Sequence, residues 1–369
     1  MRRLITCLLL ALCWTTAAHA QKPSTTPSAS AATPAAAATP VAEPAHAPAA
    51  SGPQEVTVGA YINDVQSVTL SQHAYAVDLY VWFRWTDPEY DPTKSVEFMN
   101  LSNAWDHQDS WAFETPEKQP DGSFYNVLHH QSMFSNKFPL GAYPFDKQTL
   151  VVAIEDTVNA NDAVHFKLDN KPVSMNPEVK LPGYELQPVQ ISLRDKPYPT
   201  TFGELTIDKA QAYSHIEIRI PVVRPLSSGL FKVLAPILLI ILTATLALLL
   251  APEYIEARVG LAITALLTLV ALQFTLLSGL PEVAYLTLLD QIFLASYGYI
   301  LLVIAMVVGG SRKEEGEELT AFAKLVNGWG GASFVVLLYS AGVGALIYIN
   351  TLNPGEPAQK SAASYTEPG

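Results

Sequence analysis

The chain has 369 residues, is 49% hydrophobic and only 15% charged, and carries a net charge of −12. That balance is too apolar for an ordinary soluble protein and too acidic for a phosphate-binding face, so it points to a membrane and excludes nucleic acid as a partner. Most of the acid lies before Arg224, which makes the first half the acidic half.

The first segment reads as a targeting peptide. Arg2 and Arg3 precede an apolar run from Leu4 to Trp14, and Ala18-His19-Ala20 supplies a small-x-small cleavage site. Residues 1–20 are therefore expected to be a signal peptide. Both cysteines, Cys7 and Cys13, fall inside it, so the mature chain is expected to form neither a disulfide nor a thiolate metal site. Residues 21–53 are rich in Ala, Pro, Ser and Thr and have almost no large apolar side chain. They cannot bury a core and read as a disordered tether.

Residues 54–225 read as an all-β sandwich. Short apolar runs, such as Ala76-Val77-Asp78-Leu79-Tyr80-Val81-Trp82-Phe83 and Thr149-Leu150-Val151-Val152-Ala153-Ile154, are separated by Pro, Gly, Asn and Asp. Ser214-His215-Ile216-Glu217-Ile218-Arg219-Ile220 alternates cleanly between polar and apolar. None of the sequence signatures of a nucleophile elbow, zinc protease, P-loop or dinucleotide fold occurs, so neither an enzyme nor a cofactor is expected. His129 and His130 are adjacent, and neighbours on a strand point to opposite faces, so no metal site is expected there.

Residues 226–352 hold four apolar stretches, at about 230–250, 258–278, 285–308 and 330–350. Each is near the ~20 residues that cross a hydrocarbon core. With the β domain outside the cytoplasm, the first-to-second and third-to-fourth loops lie inside and carry Arg258, Arg312, Lys313 and Lys324. The second-to-third loop carries no Lys or Arg, in agreement with the positive-inside rule. Residues 353–369 are then an extracytoplasmic tail, and both termini lie outside the cell membrane.

On the second stretch, Glu256, Gly260, Thr264, Leu267, Ala271, Phe274 and Ser278 share one helical face. The face is small or polar at its inner half and apolar further out, as a pore lining requires. The alternative is that the small residues allow close packing of helices.

These residues resemble the pentameric ligand-gated ion channels, and in particular the bacterial relatives of the Cys-loop receptors. Trp85-Thr86-Asp87 is similar to the family's W-x-D, and Tyr143-Pro144-Phe145-Asp146-x-Gln148 to its signature loop. Arg224 precedes the first membrane helix, with Pro236 inside it. The run from Arg258 to Leu267 resembles the pore helix, Leu280-Pro281 its outer turn, and Leu289-Asp290-Gln291 with Tyr297-Gly298 the third helix of bacterial members. Two departures stand out. The cysteines that close the signature loop in animal receptors are absent, with Phe134 and Gln148 near their places. The first turn, Val68-Thr69-Leu70-Ser71, lacks the acid often found there.

The resemblance implies an immunoglobulin-like outer sandwich on a four-helix transmembrane domain, assembled as a homopentamer in a bacterial inner membrane. A small-molecule agonist would bind between outer domains. The ligand site would include Tyr80 on the complementary face, Glu155 and Asp156 on the second binding loop, Tyr198 near the start of a flap that spans 194–212, and Tyr213. Aromatic faces with carboxylates suit an ammonium ligand. A second reading makes the carboxylates a solvated strand end and the tyrosines part of the sandwich packing. Asp146, Arg224, Leu280 and Pro281 would couple binding to opening, with Asp146 and Arg224 paired. A ring of Glu256 would favour permeant cations, and a ring of Leu267 would close the pore. The competing functional class is a non-conducting, membrane-anchored receptor.

Overall fold

The computed structural model describes residues 52–203, 205, 210–311, 325 and 327–352. The expected signal peptide, tether and C-terminal tail lie outside these residues.

Among the described residues, eleven strands form two sheets. The first sheet runs in the order His107–Trp111 (β4), Phe124–Ser135 (β6), Ala74–Trp85 (β2), Gln54–Thr69 (β1) and Val164–Met175 (β8), with Glu117–Lys118 (β5) also paired to β6. The second runs in the order Gln190–Pro197 (β10), Ala212–Val223 (β11), Lys147–Asp156 (β7) and Val96–Phe98 (β3), with Glu185–Leu186 (β9) paired to β11. The β1–β8 pair is parallel and the other pairs are antiparallel.

Period-2 patterning builds the core. Ile216, Ile218, Ile220 and Val222 on β11 and Leu150, Val152 and Ile154 on β7 meet Val56, Val58, Ala60 and Ile62 on β1, all of them fully buried. A one-residue slip of any of these strands would turn that set to solvent, so burial fixes the register.

Four helices among the described residues are long and apolar enough to cross a membrane: Leu226–Leu249 (α1), Ile255–Leu277 (α2), Leu288–Gly310 (α3) and Trp329–Leu352 (α4). A single π-helical turn, Leu230–Leu234, interrupts α1 just before Pro236. Thr287 caps α3, in a reciprocal exchange with Asp290. Exposed Tyr254 and Trp329 mark one end of the bundle, and exposed Tyr285 and Tyr348 the other. These are the aromatic anchors expected at two membrane interfaces.

The two cores are joined at one place. Tyr143 and Leu280 pack against both the sandwich core and the helical core.

Candidate functional site

Three groups of residues are candidates for function: a cluster on β7, β10 and β11, the junction between sandwich and helices, and the free face of α2.

Register assembles the first group. His215 lies opposite Glu155 across the β11–β7 ladder, and Tyr213 lies opposite Lys196 across the β10–β11 ladder. Glu155 is 2% exposed, yet its carboxylate is fully engaged. Oε1 accepts from Lys196 Nζ at 2.8 Å and from His215 Nδ1 at 2.5 Å, and Oε2 accepts from the Tyr198 hydroxyl at 2.7 Å. Burial alone would raise the pKa of Glu155. The donors from His215, Lys196 and Tyr198 outweigh that and bring it down to about 2. Burial likewise opposes the charge on Lys196, but its bonds to Glu155 and Tyr198 leave its pKa above the ordinary lysine value.

A carboxylate can only accept, so His215 Nδ1 carries the proton. Its Nε2 then faces Arg194 Nη2 at 3.5 Å as an acceptor. The Lys196 ammonium also sits 5.0 Å from the centre of the Tyr198 ring, and the Tyr213 ring meets Tyr198 edge-on at 5.8 Å.

Asp156 does not join this cluster, and Tyr80, expected on the complementary face, is not part of it within the subunit. Asp156 turns the opposite way from Glu155 and is fully buried. It accepts from the Tyr90 hydroxyl at 2.7 Å, from Ser95 Oγ at 2.8 Å, and from the backbone N–H groups of Val158 and Asn159. These bonds hold the end of β7 and the following turn and leave no acceptor free for a ligand. Tyr80 lies on the other sheet, stacked on His129 at 4.3 Å, while His129 Nε2 bonds Asp78 at 2.7 Å. His130 faces the interior, fully buried, with its Nδ1 against Asp109. Lys196 and His215 were not singled out in the sequence. The signal for them was alternation: Lys196 and Tyr198, like Tyr213 and His215, are two apart and so share a face.

The junction is built around Asp146. Arg224 Nε donates to Asp146 Oδ1 at 2.8 Å, and Gln148 Nε2 donates to Asp146 Oδ2 at 2.7 Å. Arg224 Nη2 donates to the Tyr184 hydroxyl at 2.7 Å, and the guanidinium lies 5.0 Å from the Tyr143 ring centre and 4.7 Å from that of Tyr184. Burial disfavours the charged guanidinium, but Asp146 more than offsets this and raises its pKa. The loop also holds the third helix directly. Leu288 N–H donates to Gly141 O at 2.8 Å, and Leu140 N–H donates to the Tyr285 hydroxyl at 3.0 Å. Leu280 packs into both cores and Pro281 is half-buried beside it. Gly141, Tyr285 and Leu288 carry no charge and no motif that would single them out in the sequence.

On α2, Arg258, Ala262, Ala265 and Leu269 are buried against the other helices. Glu256, Gly260, Thr264, Leu267, Ala271, Phe274 and Ser278 are all exposed, Leu267 at 65% and Phe274 at 73%. The Thr264 hydroxyl is bonded back to the Gly260 carbonyl at 2.8 Å. Arg258 points away from this face. Its Nε donates to the Ala247 carbonyl at 2.7 Å and its Nη2 to Asn327 Oδ1 at 2.6 Å.

No family model matches the sequence. The glycine receptor subunit beta of Rattus norvegicus is 23% identical over 343 residues, covering 85% of this chain and 67% of that protein. The Homo sapiens subunit beta matches to the same extent. The proton-gated ion channel of Gloeobacter violaceus is 23% identical over 294 residues, covering 74% of this chain and 78% of that protein. With a β-sandwich followed by four membrane-spanning helices, this chain belongs to the pentameric ligand-gated ion channel family, a family of channels and not of enzymes, as a distant relative of these receptors and channels.

Proposed function

We propose that the chain is one subunit of a homopentameric, cation-conducting channel of a bacterial inner membrane, with both termini outside. A small extracellular ligand, bound between neighbouring outer domains, opens it. The outer domain spans 54–225 and the membrane domain 226–352.

One observation carries this reading. The helical face left bare by the rest of the subunit is the face with Glu256 at one end and Leu267 in the middle. A helix that merely packed among others would bury its small residues. Here Gly260 and Ala271 are exposed, and Arg258 is drawn to the opposite side. Five such faces around an axis would enclose a path with an acidic mouth and an apolar constriction.

The ligand site rests on Glu155, Tyr198 and Tyr213, with Tyr80 supplied from the neighbouring subunit. A carboxylate beside two phenol rings suits an ammonium group, so amines are the proposed ligand class.

Asp146, Arg224, Leu280 and Pro281 are the proposed coupling path. Movement of the sandwich would reach α2 and α3 through the loop that bonds to Leu288 and Tyr285.

Native mass measurement of the detergent-extracted protein tests the assembly, and five subunits are expected. Current recording during a screen of amines, amino acids and protons tests the ligand class. Binding without current under any condition would support an anchored receptor instead.

A further inference from the structure

The carboxylate proposed to receive an amine already holds one. Lys196 Nζ lies 2.8 Å from Glu155 Oε1 and 5.0 Å from the centre of the Tyr198 ring. A charge-assisted hydrogen bond and an aromatic face are the two contacts by which proteins recognise a primary ammonium. Tyr198 also donates its hydroxyl to Glu155 Oε2, and its ring meets Tyr213, so carboxylate and rings form one seat around the ammonium. His215 Nδ1 donates to the same carboxylate oxygen as Lys196.

We infer that Lys196 is a tethered ammonium that occupies the seat of an amine ligand, so that a free amine reaches Glu155 only by displacing it. This rests on the reading of Glu155, Tyr198 and Tyr213 as the ligand site.

The tether is part of the flap itself. Lys196 lies near the end of β10, next to Pro197, and β10 is an edge strand held by β11 alone among the neighbours in its sheet. A plain surface ion pair would have both partners in water and contribute little. Here the carboxylate is 2% exposed while the lysine side chain is 32% exposed. The lysine can therefore leave towards solvent, whereas the carboxylate cannot follow. Departure of Lys196 would open one acceptor position on Oε1, which His215 Nδ1 still bonds, and would remove the link that Lys196 makes from β10 to β7. The seat thus sets specificity: a ligand must offer Glu155 more than Lys196 does, which a bare alkylammonium without further contacts does poorly.

The test uses the full-length protein in lipid nanodiscs, with n-propylammonium chloride as probe and binding read by calorimetry. Lys196→Ala vacates the seat, and Lys196→Gln removes the charge while keeping an N–H for Glu155, which guards against loss of the fold. Both variants are expected to bind the probe at least about tenfold more tightly than the wild type, since a competing charge-assisted bond is removed. Adding Glu155→Gln should abolish that gain. Equal affinity in the wild type and both variants overturns the tether. If that shared binding still depends on Glu155, the amine site itself stands. If no protein binds the probe, the amine reading falls together with the tether.

Discussion

The ring of Phe145 occupies the space that a side chain at Gly229 would need: a Cβ there would come within 2.6 Å of Phe145 Cε1. Gly229 is buried in the first turn of α1 and directly precedes the π-helical turn Leu230–Leu234. Phe145 sits next to Asp146, whose carboxylate holds Arg224. The signature loop therefore grips the start of α1 twice, by an ion pair and by a ring seated on a bare backbone.

Gly229→Ala should push Phe145 aside by roughly the overlap of a methyl group, since cores respond to single added carbons. The expected result is assembled protein with a higher half-maximal agonist concentration. Gly229→Ala combined with Phe145→Leu should regain part of the loss. Additive losses in the double variant would show that the two residues do not act through their contact.

Asp146→Asn should leave the Arg224 guanidinium without its counter-charge in a dry junction. Breaking a buried pair costs about 3–5 kcal/mol when one partner is removed. The interactions of Arg224 with Tyr184 and Tyr143 remain, and these hold the residue in place. Pentamers that bind ligand but fail to open are the expected outcome. Normal opening in assembled pentamers would remove the pair from the coupling path, and absence of pentamers would give it a purely structural role.

Acid should loosen the flap through Glu155. Its folded pKa, about 2, lies below the ordinary value of 4.5. A depressed carboxylate contributes stability that is fully present above the unfolded pKa and is lost as pH falls towards the folded one. The window is therefore from about pH 5 down to about pH 2, and the loss is on the order of 3 kcal/mol per subunit. Thermal melts of wild type and Glu155→Gln over that range should converge as pH falls. Parallel curves, with a constant gap throughout, would place no such titration at Glu155.

Leu267→Ser exchanges an exposed apolar side chain in the middle of α2 for one that can hydrate. A ring of serines should no longer close a pore by dewetting. Leak current, or opening at lower agonist concentration, is the expected result in oocyte recordings. A dose–response curve identical to wild type would assign the constriction to another residue.

The sandwich and the four helices were legible because burial imposes periodicity. Ile216, Ile218 and Ile220 announce a strand, and apolar runs of about 20 residues announce spans. The free face of α2 was legible for the same reason, through steps of three and four from Glu256 to Ser278. A sequence also places one charge of each sign, Asp146 and Arg224, at a junction that can tolerate only a pair. What it hides is cross-strand register. Lys196, Tyr198 and His215 reach Glu155 from 41 to 60 residues away, and no local pattern records which residues face each other. Alternation also separates Glu155 from Asp156, just as it separates His129 from His130. Two adjacent acids read as one acidic site, whereas the strand gives one to the cluster with Lys196, Tyr198 and His215 and the other to the turn after β7.

The charge at the mouth of α2 decides which ion five such faces would pass. Glu256 is exposed at the start of α2, while Arg258 is fully buried on the opposite side and bonded to Ala247 and Asn327. The ring that faces the ion path would thus be acidic, with no basic ring beside it, and acidic rings favour cations. The measurement is the reversal potential of purified channels in planar bilayers under a sodium chloride gradient, with wild type and Glu256→Gln compared. Agonist-dependent current should reverse near the sodium equilibrium potential, with selectivity weakened in Glu256→Gln. Reversal at the chloride potential, or no single-channel current in any condition, would contradict cation conduction.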